Sequence, residues 1–326
     1  MKIISAAIIF AMIFYPFFQI QSMHLNQLEQ TLQLTDRYNI LTKTAIQDAA
    51  FMLNETVDQQ YETGYGSKKF FRANKERAVD AFYRTLTLNF NLNKDAITIG
   101  NIAGYIPAIA VIDYDGYYIY ATEEFVDASG HTQLRPVWSP KKPYSYSDNQ
   151  NNMIQFSLDD FVKTYDRQST SWVQGQRKEV QAATKIPLLQ DAATFEQVRR
   201  STIIQNLQQD LAYVIQRHNH YATHYGVDYV FTLPQISQEE WDNGIDDIGM
   251  IAFIQGIPVG DRQYNHYAFG GGLLKKKKTI YGYVDPSTGI KYYSREAPTA
   301  PYRIEERFEN EKEAARFGYF PVTQGR

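Results

Sequence analysis

The first part of the chain is dominated by one long apolar stretch. All but three of the eighteen residues in Ile3–Ile20 are Ile, Ala, Phe, Met or Tyr, and no Asp, Glu, Lys or Arg occurs between Lys2 and Glu29. Eighteen residues in a helix span roughly 27 Å, which is close to the hydrocarbon thickness of a bilayer. The stretch therefore predicts a transmembrane anchor over residues 1–21.

The charge before this stretch predicts its orientation. Lys2 and the terminal amine precede it, so the positive-inside rule places the N-terminus in the cytoplasm and the rest of a single-pass protein outside the cell membrane. A cleaved signal peptide would have the same charged start, but it needs small residues before the cleavage point. Ser22 is small, whereas Ile20 at the other key position is bulky. An uncleaved anchor is therefore favoured, and removal of the segment stays an open alternative.

A second pattern continues directly from the anchor. Residues 22–62 contain neither Pro nor Gly, and their apolar residues recur three or four positions apart. These positions form two successive stripes, which are Leu25, Leu28 and Leu32, and then Leu34, Tyr38, Leu41, Ala45, Ala49 and Met52. They predict that residues 22–62 form an amphipathic stem, with a helix of roughly 50 Å from Ser22 to about Asp58, ended by the breakers in Thr63–Ser67. We expect the stem to pack against its own domain or against copies of itself.

The rest of the chain alternates helices and strands irregularly. We predict an extracytoplasmic α+β domain over residues 63–284, with a mainly antiparallel sheet and flanking helices. Helices are expected over Lys68–Leu92 and Thr194–Tyr221, the second opened by a capping box of Thr194 with Gln197. Strands are expected at Ala108–Ile112, Tyr117–Ala121, Met153–Leu158, Val227–Leu233, Met250–Ile254 and Thr279–Val284.

Turn residues connect these elements. Asp115-Gly116 predicts a two-residue hairpin turn, because Gly tolerates a positive φ angle. Residues 127–152 predict a loop, since they are rich in Pro, Ser, Asp and Asn. Gly270–Gly272 lacks the ending of a phosphate loop and predicts a tight turn. The basic run Lys275–Lys278 predicts a solvated strand or hairpin, with contact to anionic lipid or wall polymer as the alternative.

Neither of two acidic pairs in the sequence predicts a calcium site or a catalytic pair. Asp113 and Asp115 lack the third ligand and distal Glu of a calcium loop, so a turn is favoured. Asp159-Asp160 could serve as an acid–base pair, but adjacent side chains do not face one another, and the pair is better interpreted as the cap of a short helix through Val162.

Three histidines lie near the end of the predicted Thr194–Tyr221 helix. Only His220 and His224 are four residues apart and could share a metal ion on one face, and a metalloprotease would need Glu where Tyr221 stands. A structural role at the helix C-terminus is favoured for these two and for His218. We therefore name no catalytic, cofactor-binding or metal-binding residue.

Composition narrows the function classes. The chain has 326 residues, 33 Lys and Arg against 36 Asp and Glu, a net charge of -3 and no cysteine. Disulfides, thiolate metal sites and a cysteine nucleophile are excluded. The absence of a strong positive field argues against nucleic acid as a partner. Nucleophile-elbow, metalloprotease, phosphate-loop and dinucleotide motifs are also missing, so we expect a protein that is not an enzyme and has no cofactor.

The N-terminal region resembles type IV pilin-like proteins. A short cytoplasmic end, an apolar helix containing Pro16 and an amphipathic continuation into an outer domain are similar in outline to the Tad-type pseudopilins of Gram-positive bacteria. The resemblance implies that the apolar helix is both membrane anchor and assembly core, with a kink at Pro16. The chain departs from that family in lacking a Gly-Phe style processing site and in having Ala7 where the family has Glu. These departures favour a minor or non-polymerising envelope component.

The C-terminal segment, residues 285–326, is expected to form a small separate module. Its turn lies at Asp285–Gly289 and its short helix at Glu309–Phe317, closed by Gly318. The segment resembles the Ada-type zinc-binding module in its residues Lys291, Tyr292, Tyr293, Phe308, Glu311, Glu313, Ala314, Gly318, Tyr319 and Pro321. The four ligand places of that module hold Tyr293, Ala297, Val322 and Gly325. None of these residue types is the expected ligand, so the resemblance implies a degenerate fold without zinc.

Together these patterns predict a structural or assembly component of a pilus-like, secretion or DNA-transfer apparatus. Its expected partners are the lipid bilayer and other membrane or envelope proteins that contact the N-terminal helix, with a homo-oligomer as one form of that association. The alternative is an extracytoplasmic ligand-binding or sensing module. Two helices leading into a Tyr-rich sheet resemble membrane-proximal ligand-binding domains, although no later apolar run approaches the length of a second membrane span.

Overall fold

The computed structural model describes residues 2–53, 73–92, 96–271, 280–294, 303–308 and 311–322. Its first element is α1 (Lys2–Met52), one continuous helix of 51 residues that covers the predicted anchor and most of the predicted stem. Within the ranges given above, no helix combines the length and the apolar character that crossing a membrane requires. The predicted end of the stem and the Thr63–Ser67 breakers lie outside the described residues.

The chain divides into two compact units, Met1–Gly272 and Leu273–Arg326. After α1, the helices of the first unit are α2 (Lys75–Asn89), α3 (Ala96–Ala103), α4 (Arg177–Ala183), α5 (Ala192–Ala222) and α6 (Gln238–Gly244). Short 3-10 turns cover Pro187–Leu189 and Thr223–Tyr225. The helices predicted over Lys68–Leu92 and Thr194–Tyr221 are therefore confirmed as α2 and α5, within the described residues.

The strands of the first unit are β1 (Ile109–Asp113), β2 (Gly116–Val126), β3 (Thr132–Trp138), β4 (Lys142–Ser147), β5 (Met153–Phe156), β6 (Phe161–Asp166), β7 (Ser171–Gln176), β8 (Gly249–Val259) and β9 (Arg262–Gly271). They form one sheet in the order β7-β6-β5-β4-β2-β1-β8-β9, with β3 also paired to β2. The pairs described between these strands are antiparallel. The predicted α+β class with a mainly antiparallel sheet is confirmed.

Helices cover both faces of this sheet. Neighbouring residues of a strand point to opposite faces. The Tyr117 hydroxyl donates a hydrogen bond to Asp210 of α5 at 2.5 Å, whereas the ring of Tyr118 lies 5.1 Å from Nζ of Lys75 on α2. One face of the sheet is therefore covered by α5 and the other by α2, which also packs along α1.

The C-terminal half of α1 packs closely on β9. Its buried residues recur at helical spacing and are mostly small: Thr42, Ala45, Ile46, Ala49 and Ala50. A Cβ atom added at Gly270 of β9 would overlap the carbonyl oxygen of Ile46 and lie 2.8 Å from the Cβ of Ala50. We call this approach of Gly270 to Ile46 and Ala50 the α1–β9 contact. It corrects the predicted tight turn: Gly270 and Gly271 belong to β9, and Gly272 lies outside the described residues.

The same alignment continues toward the start of α1. The Thr42 hydroxyl lies 3.4 Å from the Tyr264 hydroxyl of β9, and a Cβ at Gly260, in the turn between β8 and β9, would lie 2.9 Å from Oγ1 of Thr31. α1 therefore runs beside the β8–β9 hairpin from Gly270 back to the turn at Gly260.

The β1–β2 hairpin is confirmed, but its turn is one residue earlier than predicted. Asp113 pairs with Gly116, so Tyr114 and Asp115 are the two turn residues. Gly116 does not have a positive φ angle. It is needed instead because a Cβ atom there would overlap the carbonyl oxygen of Lys142 on β4.

The predicted loop over residues 127–152 is wrong for half of its length, because it contains β3 and β4. Proline is accepted on strands where its missing N–H does not interrupt a ladder. Pro136 on β3 lies opposite Thr122, and Pro143 on β4 lies opposite Gly116 at the end of their pairing. The polar turn between β4 and β5 remains irregular, with Asn151 at a φ of 61°.

The predicted strand Val227–Leu233 is also wrong, since this stretch has no regular secondary structure. Side-chain amides take the place of a neighbouring strand. The Asn219 amide of α5 accepts from the Phe231 N–H at 2.7 Å and donates to its carbonyl at 3.0 Å. The Gln255 amide of β8 does the same for Thr232, at 3.2 and 2.8 Å. The backbone groups of Phe231 and Thr232 are therefore hydrogen-bonded without a neighbouring strand. The periodicity of the stretch could not predict these bonds.

Two predicted helix starts are corrected. Asp159-Asp160 caps no helix, because β6 begins at Phe161; Asp159 instead accepts from the Phe161 N–H at 2.9 Å within a turn. α5 is capped by Asp191, whose carboxylate accepts from the Thr194 N–H at 2.7 Å. A carboxylate is the stronger cap at a helix N-terminus, so Thr194 lies inside the first turn.

The second unit contains β10 (Ile280–Val284), β11 (Lys291–Ser294), β12 (Ile304–Phe308), α7 (Glu311–Arg316) and β13 (Phe320–Pro321). The strand order is β12-β10-β11-β13, with β11 parallel to β13. Phe308, Ala314 and Tyr319 are buried together with Tyr293 against them. β10, which we assigned to the outer domain, belongs to this sheet. The predicted turn at Asp285–Gly289 and the helix ended by Gly318 are both present.

We predict that Gly270→Ala lowers the free energy of unfolding by about 1–3 kcal/mol, because the added methyl group must push β9 away from the α1 backbone. Gly271→Ala is the matched control, since a Cβ at Gly271 meets no atom within 4 Å. It should change the free energy of unfolding by no more than about 0.5 kcal/mol. Denaturant unfolding of the full chain in detergent measures both values, and equal effects would contradict the close approach.

Candidate functional site

The first candidate site is the N-terminal half of α1. Every side chain described between Phe14 and Gln30 is exposed. We call these residues the exposed segment; the side chains at positions 16 and 17 are outside the described ones. Several of its exposed residues are large and apolar: Phe14, Tyr15, Phe18, Ile20, Met23, Leu25 and Leu28. Apolar side chains so closely spaced on a solvent-exposed helix indicate a surface for lipid or for another protein.

The exposed segment ends where the sheet begins. Thr31, only 7% exposed, is the first buried residue among the described side chains of α1 and lies at the Gly260 turn. The seventeen residues before it would span roughly 25 Å at the helical rise. Thr31 and Thr35 donate their hydroxyls to the carbonyl oxygens of Gln27 and Thr31, both at 2.8 Å. These bonds satisfy both hydroxyls within the helix.

The second candidate site is a cavity of about 620 Å³ in the first unit. We call it the tyrosine cavity, because Tyr83, Tyr120 and Tyr225 line it. Its other lining residues come from α2, α3 and β3 and are mainly small or apolar, among them Val79, Thr87, Gly100, Ala103, Leu134 and Pro136. Its volume lies within the range of small-molecule sites.

The positions of the three tyrosines follow from the local fold. Tyr83 lies between Val79 and Thr87 at four-residue spacing on α2, so all three share one helix face. The rings of Tyr120 and Tyr225 pack on those of Trp138 at 5.0 Å and His218 at 6.3 Å. No sequence motif links these tyrosines, because they come from three separate elements. Sequence reasoning missed this cavity, and only the Tyr-rich composition hinted at it.

A smaller cleft of about 160 Å³ surrounds an ionic cluster. Lys141 is 2.9 Å from Oδ2 of Asp113 and also contacts Asp115. Burial lowers the pKa of Lys141, but the two carboxylates outweigh it and raise the pKa above its usual value. Burial raises the pKa of Asp113 despite Lys141. Asp113 and Asp115, the acidic pair considered above for calcium, therefore bind Lys141. Their ion pairs connect the segment before β4 to the β1–β2 turn.

A third cavity, of about 370 Å³, lies where α1, α6 and β9 meet. Tyr267 donates to Glu240 at 2.8 Å, and Glu240 also forms the capping box of α6 with Ser237. Burial and the neighbouring Glu240 raise the pKa of Tyr267 to about 12. Glu240 and Tyr267 are therefore already bonded within the protein.

The three histidines near the end of α5 lie in different surroundings. His218 is buried, and its Nε2 lies 2.9 Å from the Gly104 carbonyl oxygen. His220 is exposed on α5, and His224 lies in the 3-10 turn that follows. Across the described residues, no group of three or more metal-binding side chains occurs. Burial lowers the pKa of His218 below its usual 6.5, although the bond to Gly104 opposes this shift.

No known protein family, curated protein sequence or solved structure matches the chain.

We predict that Lys141→Met lowers the free energy of unfolding by about 3–5 kcal/mol, because it leaves two partly or fully buried carboxylates without their shared cation. The neighbouring Lys142 pairs with Asp210 at 2.7 Å, but its side chain is 48% exposed. Lys142→Met should therefore cost no more than about 1 kcal/mol. Denaturant unfolding at neutral pH measures both, and a larger loss for Lys142→Met would refute the role given to Lys141.

The lowered pKa of His218 predicts a pH dependence of stability. The unfolded chain binds a proton at His218 below pH 6.5, whereas the folded chain does so only at lower pH. This part of the stability is therefore complete above pH 6.5 and is lost as the pH falls through the folded pKa. His218→Gln should flatten the fall in unfolding free energy between pH 7 and 5, even if the variant is less stable throughout. The exposed His220→Gln should keep the wild-type slope, and identical slopes for all three proteins would disprove the assignment.

Proposed function

We propose that the chain is a single-pass envelope protein, a non-enzymatic structural or assembly component of a pilus-like, secretion or DNA-transfer apparatus. The N-terminal end of α1 is the membrane anchor, with the N-terminus in the cytoplasm and the chain that follows the anchor on the extracytoplasmic side. The part of α1 between membrane and sheet associates with other envelope proteins or with a second copy. Nucleic acid is not among the proposed partners.

The observation that carries the proposal is the contrast along α1. Residues from Thr42 to Ala50 are buried at regular spacing, whereas the exposed segment presents Phe, Leu, Ile and Met side chains to solvent. A long apolar surface on a helix is costly in water and is normally covered. The preceding sequence Ile3–Ile20 supports lipid as the cover for its first part. Leu25 and Leu28, beyond that stretch, support a protein partner.

The continuity of α1 supports a mechanical role. One helix joins the proposed anchor to the sheet, and the α1–β9 contact fixes that helix against a strand backbone. A pull on the N-terminus is therefore transmitted into the sheet and not into a flexible linker.

We also propose that the second unit is a packing module with a degenerate zinc-type fold. Tyr293 stands at one ligand place of the resembled module, and its side chain packs against the buried cluster. The Val322 N–H, at another ligand place, donates to the Tyr293 carbonyl at 3.1 Å. Ala297 and Gly325 lie outside the described residues.

An extracytoplasmic binding or sensing module is the second candidate function. The tyrosine cavity is the observation that favours it, because it combines a ligand-sized volume with apolar walls and several polar groups. The two functions are compatible, since the exposed segment and the cavity use different residues.

The assembly proposal is tested by photo-crosslinking in membranes. The chain has no cysteine, so Leu28→Cys can carry a single benzophenone on the exposed segment. We expect ultraviolet light to produce an adduct with a second copy or with a defined envelope protein, because Leu28 is 41% exposed and lies beyond the proposed anchor.

Tyr213→Cys is the matched control. Tyr213 is 63% exposed on α5, at a site for which no association is proposed. Its derivative should remain monomeric under the same illumination. If both derivatives stay monomeric in the native membrane, or both give the same adducts, the exposed segment is not an association surface.

A further inference from the structure

Three buried tyrosines near the β1–β2 hairpin bond their hydroxyls to a protein group. Tyr114 donates to Asp159 at 2.7 Å, Tyr144 to the Asp113 carbonyl at 2.9 Å and Tyr117 to Asp210. This is the general behaviour of buried polar groups, because an unpaired hydroxyl loses its bonds to water on folding.

The tyrosine cavity breaks this rule. In the described part of the chain, no hydrogen bond connects the hydroxyl of Tyr83, Tyr120 or Tyr225 to another protein group. Tyr83 is only 8% exposed, so it has little access to bulk solvent. Three phenol groups therefore line one cavity with their hydrogen-bonding capacity unused by the protein.

The three groups are also close enough to influence one another. Burial raises the pKa of Tyr83, and the neighbouring Tyr120 and Tyr225 raise it further. Burial, nearby carboxylates and Tyr225 raise the pKa of Tyr120. The hydroxyls of Tyr83 and Tyr120 therefore stay protonated at neutral pH, and each can both donate and accept a hydrogen bond.

The rings are held in place before any ligand arrives. Tyr120 packs against Trp138, Tyr225 stacks on His218 with an interplanar angle of 13°, and Tyr83 lies edge-on to Phe82. Fixed groups lose little entropy on binding, which favours affinity.

The charges at the cavity cancel. Asp80 and Arg84 both line it, one helical turn apart on α2, and among the described residues neither forms an ion pair. No net charge selects an anion or a cation, and the remaining walls are mainly apolar.

We propose that the tyrosine cavity binds a small uncharged ring compound that carries hydroxyl or carbonyl groups. The apolar walls take the ring, and the phenols of Tyr83, Tyr120 and Tyr225 donate to and accept from its oxygen atoms. This inference rests on the second candidate function and is independent of the membrane anchor and the assembly role.

The test compares three probes that share one ring system. Tryptophol is uncharged and has a hydroxyl group, indole-3-acetate is an anion and tryptamine is a cation. Binding to the full chain in lipid nanodiscs is followed by saturation-transfer NMR and calorimetry. Subtracting the signal of Gly100→Leu removes partition into the lipid. This substitution adds bulk at the cavity wall, where a Cβ meets no atom within 4 Å.

We expect tryptophol to bind more tightly than either charged probe and to lose its site-specific signal in Gly100→Leu. Tyr83→Phe keeps the shape of the wall and removes one hydroxyl, so it should weaken tryptophol binding by about fivefold. Tyr213→Phe, which alters an exposed tyrosine elsewhere, should leave binding unchanged.

Two results would overturn the inference in different ways. A charged probe that binds more tightly and is lost in Gly100→Leu would show that the ligand class is wrong while the cavity remains a binding site. If no probe distinguishes the wild type from Gly100→Leu, the cavity holds only water, and the second candidate function loses its support. Crosslinking of the exposed segment is unaffected in either case.

Discussion

The contact between α1 and β9 is the constraint on which the rest of the architecture depends. A glycine in β9 and alanines on the helix allow the two backbones to approach closely, so α1 is fixed beside the last hairpin of the sheet. Because the C-terminal half of α1 packs on the sheet, the described side chains of its N-terminal half lie outside that core. The same helix therefore has one half buried by its own domain and one half with apolar residues still exposed, and the proposed membrane and assembly roles follow from that division.

The two faces of the sheet serve different purposes. On the face covered by α5, contacts such as the hydrogen bond from Tyr117 to Asp210 hold the helix against the sheet. The ion pair of Lys141 with Asp113 connects the segment before β4 to the β1–β2 hairpin. The face covered by α2 contains the tyrosine cavity, where aromatic neighbours hold the rings but no group among the described residues bonds the hydroxyls. Hydroxyls have protein partners in the first region and lack them in the second, which is why we propose a stabilising role for one and ligand binding for the other.

Sequence patterns predicted the elements whose information is local. The helical spacing of α2 and α5 and the continuous apolar run in β8 depend on residues within one segment. The errors arose where distant residues decide the structure. Gly116 and Gly270 were interpreted as turn residues, but each is required by a backbone far away in the sequence. Val227–Leu233 has the composition of a strand. The side-chain amides of Asn219 and Gln255, however, bond the backbone groups of Phe231 and Thr232, so these groups do not pair with a neighbouring strand. The tyrosine cavity combines three separate elements, so no motif could reveal it.

The division of α1 is best measured by thiol labelling of single-cysteine variants in intact cells, with a charged, membrane-impermeant maleimide added outside. Phe18→Cys tests the proposed anchor, Leu34→Cys tests the water-exposed helix, and Ala49→Cys tests the buried contact. We expect only Leu34→Cys to react in intact cells, Phe18→Cys to react once detergent removes the membrane, and Ala49→Cys to react only after unfolding. Equal labelling of Phe18→Cys and Leu34→Cys in intact cells would contradict the anchor and with it the proposed function.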